Sequence, residues 1–87
     1  MPKIAIIGAG SAVFARRLIT DFLCTPSLCD SHIALMDISA DALETITAWT
    51  KHAIASNHLN ATVEATTDRR AALKDADYVI ISIRVGV

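Results

Sequence analysis

Apolar positions along the chain switch between two periods, and the switches mark the elements. Lys3-Ile4-Ala5-Ile6-Ile7 is short, β-branched and apolar without alternation, which predicts a strand covered on both faces, as in a parallel sheet. From Ser11 the spacing turns helical. Val13, Phe14, Leu18, Phe22 and Leu23 fall on one side, and Arg16, Arg17, Thr20 and Asp21 take the other. Pro26 marks the end of that helix. A second apolar run, His32-Ile33-Ala34-Leu35-Met36, predicts another strand and ends in Asp37. Ser39 and Asp41 signal the next helix, with Leu43, Ile46, Trp49 or Thr50, Ala53 and Ile54 as its apolar stripe, and residues 57–60 form its exit. Ala61 to Ala65 is a modest third strand, Asp68 to Lys74 a short helix or turn, and Tyr78 to Ile83 a strong fourth strand.

The order β-α-β-α-β-(α)-β implies parallel strands joined by crossovers, and hence an α/β, Rossmann-like sheet. Only the first half of such a sheet is expected, with strand order 3-2-1-4. Residues 1–87 read as one portion, with no internal repeat, low-complexity tract or linker. The fourth strand is then expected to be an exposed edge that invites self-association.

Composition narrows the classes. The chain has 87 residues, 53% of them hydrophobic and 20% charged, with a net charge of −1. No basic block points to nucleic acid or to an anionic membrane. No apolar run approaches the roughly 20 residues that span a bilayer, so a soluble protein is expected. Cys24 and Cys29 read as ordinary reduced thiols in a cytoplasmic setting. A metal site would need more ligands than the neighbouring His32.

The chemistry concentrates in the first turn. Gly8 and Gly10 follow the first strand, where the chain must turn sharply and a backbone without Cβ lets a pyrophosphate approach. The helix that follows directs its N-terminal dipole and free N–H groups at such an anion. Ser11 either donates to a phosphate or caps that helix, and the two roles are compatible. Val13 stands where the dinucleotide fingerprint G-x-G-x-x-G has its third glycine, so the helix is expected to approach the strand differently. Asp37 at the end of the second strand suits the two ribose hydroxyls of an adenosine and would repel a 2′-phosphate, which favours NAD over NADP. Its structural alternative is a solvated aspartate heading the next helix.

Asp68 either lies near the adenine or caps the short helix, and Arg84 either faces a ligand beyond the fourth strand or is simply exposed. His32, His52 and His58 show no catalytic spacing, and Trp49 reads as packing. On these residues alone, a non-catalytic nucleotide-binding module and part of a lactate- or malate-dehydrogenase-like oxidoreductase stay open.

Three ordered segments narrow the reading further: PKIAIIGAGSAVFARRLITDFL, IALMDISADALE and TTDRRAALKDADYVIISIRVG. Together they resemble the N-terminal region of glycoside hydrolase family 4, which includes α-galactosidases, α-glucosidases, α-glucuronidases and 6-phospho-glycosidases. The family's glycine loop similarly continues into a non-glycine residue, which accounts for Val13. The variant G-A-G-S-A-V-F looks closer to the branch that acts on unphosphorylated α-glycosides.

The resemblance implies a hydrolase in which NAD+ oxidises the sugar's C3 hydroxyl, followed by elimination, water addition and hydride return. A divalent metal, usually Mn2+, would hold the sugar hydroxyls. No pair of flanking carboxylates is required by such a route. The resemblance further places Gly8, Gly10 and Ser11 at the pyrophosphate, Asp37 at the ribose, and Asp68 and Arg84 near the cofactor. The family's metal-binding Cys and His and its tyrosine base belong to downstream segments. No catalytic or metal residue is therefore expected here, and the chain is expected to be an NAD-binding front portion, inactive alone.

Overall fold

A computed structural model describes residues 2–10 and 12–81. The elements run β1 (Lys3–Ile7), α1 (Ala12–Cys24), β2 (His32–Met36), α2 (Ala40–Ser56), β3 (Thr62–Thr66), α3 (Arg69–Leu73) and β4 (Tyr78–Ile81). The strands form one parallel sheet in the order β3-β2-β1-β4. This is the Rossmann-like arrangement that the alternation of apolar runs predicts. β3 begins one residue later than expected, and the tail of the predicted fourth strand lies outside the described residues.

Alternate side chains of the central strands enter two unequal layers, because successive residues of a strand point to opposite faces. Ile4, Ile6, Ile33 and Leu35 face one side, where Ala15, Ile19 and Leu23 of α1 and Leu43 and Ile46 of α2 cover them. Ala5, Ile7, Ala34 and Met36 face the other, against Ala72 of α3. The small Ala5 and Ala34 let the single-turn α3 approach the sheet closely. The bulky side chains of the first layer fill the space under the two long helices.

One detail of the helices departs from the sequence reading, and a second decides between its alternatives. On α1 the buried stripe is Ala15, Ile19 and Leu23, whereas Phe14 is 44% exposed and Leu18 only half-buried. Residues four apart share a helical face, and Phe14 and Leu18 sit about 100° away from that stripe. On α2 it is Thr50 that is fully buried. Its hydroxyl donates to the Ile46 carbonyl at 2.7 Å, so burial leaves no orphan polar group. Trp49 lies half-buried beside the core, with the Arg16 guanidinium 5.5 Å from its ring centroid.

The helix ends are built from ordinary chemistry. Ser39 caps α2, its Oγ accepting the Ala42 N–H at 3.3 Å. At the other end His58 takes a left-handed φ of 53°, and the Leu59 N–H donates to the Ile54 carbonyl at 3.1 Å. A non-glycine residue closes this helix.

Candidate functional site

At the C-terminal ends of β1 and β2 the sheet opens into a cleft of about 420 Å³, where ligands of doubly wound folds bind. Its walls come from three loops. Gly8 and Gly10 belong to the β1–α1 turn, Asp37, Ile38 and Ser39 to the β2–α2 connection, and Arg69 opens α3. The sequence-predicted residues Gly8, Gly10 and Asp37 are thus brought together.

The glycine turn is stitched to the exit of β2. Gly8 has a φ of 85°, a left-handed conformation that glycine adopts without a Cβ penalty. The N–H groups of Gly8 and Ala9 both donate to the Met36 carbonyl, at 2.8 and 3.0 Å. The next N–H, that of Gly10, donates to Asp37 Oδ2 at 2.7 Å. Asp37 Oδ1 accepts the Ser39 N–H at 2.8 Å. One carboxylate therefore fixes the glycine turn on one side and the start of α2 on the other.

The turn's own N–H groups at residues 8–10 all have partners within the protein, so they are not free donors for a phosphate. Gly10 also lacks a Cβ for a reason the sequence did not reveal. A Cβ there would lie 2.5 Å from Asp37 Oδ2, 2.8 Å from its Cγ and 3.0 Å from Ala42 Cβ. The close approach that Gly10 permits is that of the Asp37 carboxylate. An ionised carboxylate has about four lone-pair directions, so two remain for a ligand in the cleft.

Asp68 heads α3 as its cap, Oδ1 accepting the Arg70 N–H at 3.0 Å. It is not among the described residues lining the cleft; its neighbour Arg69 is. Arg69 was not singled out from the sequence, because its place depends on β3 pairing beside β2. Ile38, beside Asp37 in the β2–α2 connection and 90% exposed at the cleft, carries no sequence signal of its own. Ser11 and Arg84 lie outside the described residues.

A second polar cluster sits at the opposite end of the sheet, on the α3 face. His32 Nδ1 shares a hydrogen bond with Thr62 Oγ1 at 2.6 Å. Glu64 Oε1 lies 3.2 Å from His32 Nε2 and 3.5 Å from Lys3 Nζ. Lys3 Nζ also donates to the Lys74 and Ala71 carbonyls, at 2.6 and 3.3 Å, tying the end of α3 to β1. Partial burial pushes the Glu64 carboxyl up, but the His32 hydrogen bond and the charges of His32 and Lys3 outweigh it. The net result is a pKa below the ordinary value. This cluster joins β1, β2, β3 and α3, and it is remote from the cleft.

Among the described residues no three His, Cys, Asp or Glu side chains converge on a metal-sized site. Cys24 and Cys29 are free thiols. No described helix is long and apolar enough to cross a membrane.

Comparison with known proteins gives this geometry a context. The chain is 48% identical over 84 residues to an alpha-galactosidase of Rhizobium meliloti (strain 1021), a match covering 97% of this chain and 17% of that protein. It is 44% identical over 84 residues to an alpha-glucosidase of Erwinia rhapontici, covering 97% of this chain and 18% of the relative. An alpha-galactosidase of Bacillus subtilis (strain 168) is 35% identical over 86 residues, covering 99% and 20% respectively. The chain thus spans no more than about a fifth of the length of these relatives. The sequence profile of the family described as family 4 glycosyl hydrolase matches residues 3–87. With its glycine turn, its strand order and this match in agreement, the chain belongs to glycosyl hydrolase family 4.

Proposed function

We propose that these residues are the NAD-binding front portion of an α-glycosidase that cleaves its substrate through a transient oxidation of the sugar. The observation that carries the reading is the Asp37 carboxylate. It lies in a cleft at the strand ends, held by the Gly10 and Ser39 N–H groups, with acceptor capacity left over. A pair of vicinal ribose hydroxyls is a natural donor set for that capacity, and a 2′-phosphate would meet like charge there.

The remaining residues divide the task. Gly8 and Gly10 hold the turn against the end of β2 and add no side chain of their own to the cleft wall. With the turn's own N–H groups engaged, anion binding falls to Ser11 and to the first N–H groups of α1, which have no intrahelical partner. Asp68 secures α3, and Arg84 is assigned to the neighbourhood of the cofactor. When bound, NAD+ supplies the hydride acceptor for the sugar, so the cofactor takes part in a reaction without net redox change. Mn2+ binding and sugar contacts are assigned to the rest of the enzyme, and the 87 residues alone are inactive. The substrate is an unphosphorylated α-glycoside, in keeping with the alpha-galactosidase and alpha-glucosidase names of the relatives. We place the protein in the cytoplasm, where thiols such as Cys24 and Cys29 stay reduced.

An amide-resolved NMR titration with NAD+ and NADP+ tests this reading. Shifts at Gly8, Gly10 and Ser39 with a preference for NAD+ are the expected result. A well-dispersed spectrum that responds to neither nucleotide overturns it.

A further inference from the structure

We infer that Arg69 is a specificity-determining residue of the cleft, stacking its guanidinium on the nucleotide's purine base while Ile38 covers the other face. The inference rests on the nucleotide reading above, and it adds a residue and a base preference to it.

The argument starts from strand pairing. β2 and β3 are parallel neighbours with Met36 opposite Thr66, so the loops leaving their C-terminal ends lie side by side. Ile38 comes two residues after the end of the one, and Arg69 three residues after the end of the other. Both line the same cleft as Gly10 and Asp37. Adjacent strands are spaced by about 4.8 Å, so the β1 and β3 ends of the cleft are separated by roughly 10 Å. A nucleotide with its phosphates at the β1–α1 turn and its ribose on Asp37 extends its base toward β3. There it meets Ile38 and Arg69.

The chemistry of these two side chains suits a flat aromatic ring. Ile38 is 90% exposed and lines the cleft, so its apolar surface is open to a ligand. A base laid against it would remove apolar surface from water. Among the described residues Arg69 forms no ion pair, which leaves its planar cation available. Guanidinium planes stack on nucleobases and on aromatic faces generally. A 2′-phosphate is the competing partner for an arginine at this place, and Asp37 in the same cleft opposes it by like charge. Asp68 has no part in this contact, because among the described residues it does not line the cleft.

The test uses the 87-residue chain, its Arg69→Ala variant and three ligands: ADP, UDP and adenosine 2′,5′-bisphosphate. Affinities are read by NMR shift titration or calorimetry. Wild type is expected to prefer ADP to UDP. Arg69→Ala is expected to weaken ADP by about 3- to 10-fold and UDP much less, narrowing the gap. If the alanine variant does not fold, Arg69→Lys is read the same way, since it keeps the charge and loses the plane.

Equal losses for ADP and UDP would overturn the inference, because the arginine would then act on phosphate alone. A loss confined to the 2′,5′-bisphosphate would overturn it in favour of 2′-phosphate recognition. Unchanged ADP binding in the variant defeats this inference and leaves the nucleotide reading standing. A folded wild type that binds none of the three defeats both.

Discussion

Asp37 and Gly10 are joined by a hydrogen bond of 2.7 Å from the glycine N–H to Oδ2, across the gap between the ends of β1 and β2. The other carboxylate oxygen holds the Ser39 N–H, so this side chain acts as a brace before it meets any ligand. Asp37→Asn keeps the shape but turns an NH2 group toward one of the two N–H donors. The expected cost is about 1–3 kcal/mol in unfolding free energy, from the loss of a charge-assisted bond at a partly buried site. The same variant is expected to lose the preference for NAD+ over NADP+. Denaturant unfolding and the paired nucleotide titrations check both parts. A variant as stable as wild type would remove the brace from this account.

Gly10→Ala tests the same contact from the opposite side. The added methyl would lie 2.5 Å from Asp37 Oδ2, so either the turn or the carboxylate must move. Relief of such an overlap costs about 1–3 kcal/mol, and the displaced Asp37 is expected to weaken nucleotide binding together with stability. Amide shifts at Ser39 report the displacement directly. An alanine variant with an unchanged Ser39 resonance and unchanged melting temperature would show that the site accommodates a Cβ.

How much of this was legible in the residues depends on how local each feature is. The apolar runs of β1 and β2 needed only their own composition, and the parallel order followed from the alternation of strands and helices. Asp37 was legible as the acid ending a strand. Its bond to Gly10 was not, because that bond joins two loops that meet only once β1 and β2 pair. The face of α1 was misread for a related reason: Phe14 and Leu18 are more hydrophobic than Ala15, yet packing on the sheet selects the Ala15-Ile19-Leu23 stripe. Arg69 is a neighbour of the cleft solely through the β2–β3 register, and no pattern within its own segment announces it.

The cluster at the far end of the sheet predicts an acid-side loss of stability. The Glu64 carboxyl titrates below its ordinary value of 4.5, because the contacts with His32 and Lys3 outweigh the opposing effect of partial burial. A depressed carboxylate pKa means that the unfolded chain binds its proton first as pH falls. The stabilisation by Glu64 is therefore fully present above its unfolded pKa and is lost as pH falls through the lower, folded one. Thermal melts of wild type and Glu64→Gln between about pH 3 and 6 should keep a constant separation at the upper end and converge at the lower. Because Glu64 is half-exposed, salt should shrink the separation. Curves whose separation stays constant across the whole range would show that the ionisation of Glu64 contributes nothing to stability.

The last prediction concerns β4, which in the described residues pairs only with β1. Tyr78, Val79 and Ile81 are 56%, 48% and 63% exposed. The register explains why. Val79 and Ile81 stand opposite Ala5 and Ile7, on the face that α3 covers. However, α3 packs chiefly on β1, β2 and β3, which leaves Val79 and Ile81 about half or more exposed. An apolar strand with one free edge and an uncovered face is a template for pairing with a second chain. We therefore expect the 87-residue chain to self-associate with rising concentration, and Ile81→Lys to suppress this by placing a charge on the uncovered face. Sedimentation velocity over a range of concentrations checks it. If wild type stays monomeric throughout, the β4 edge is not a self-association surface. If Ile81→Lys associates as strongly as wild type, the contact lies elsewhere, and the β3 edge becomes the strand to mutate next.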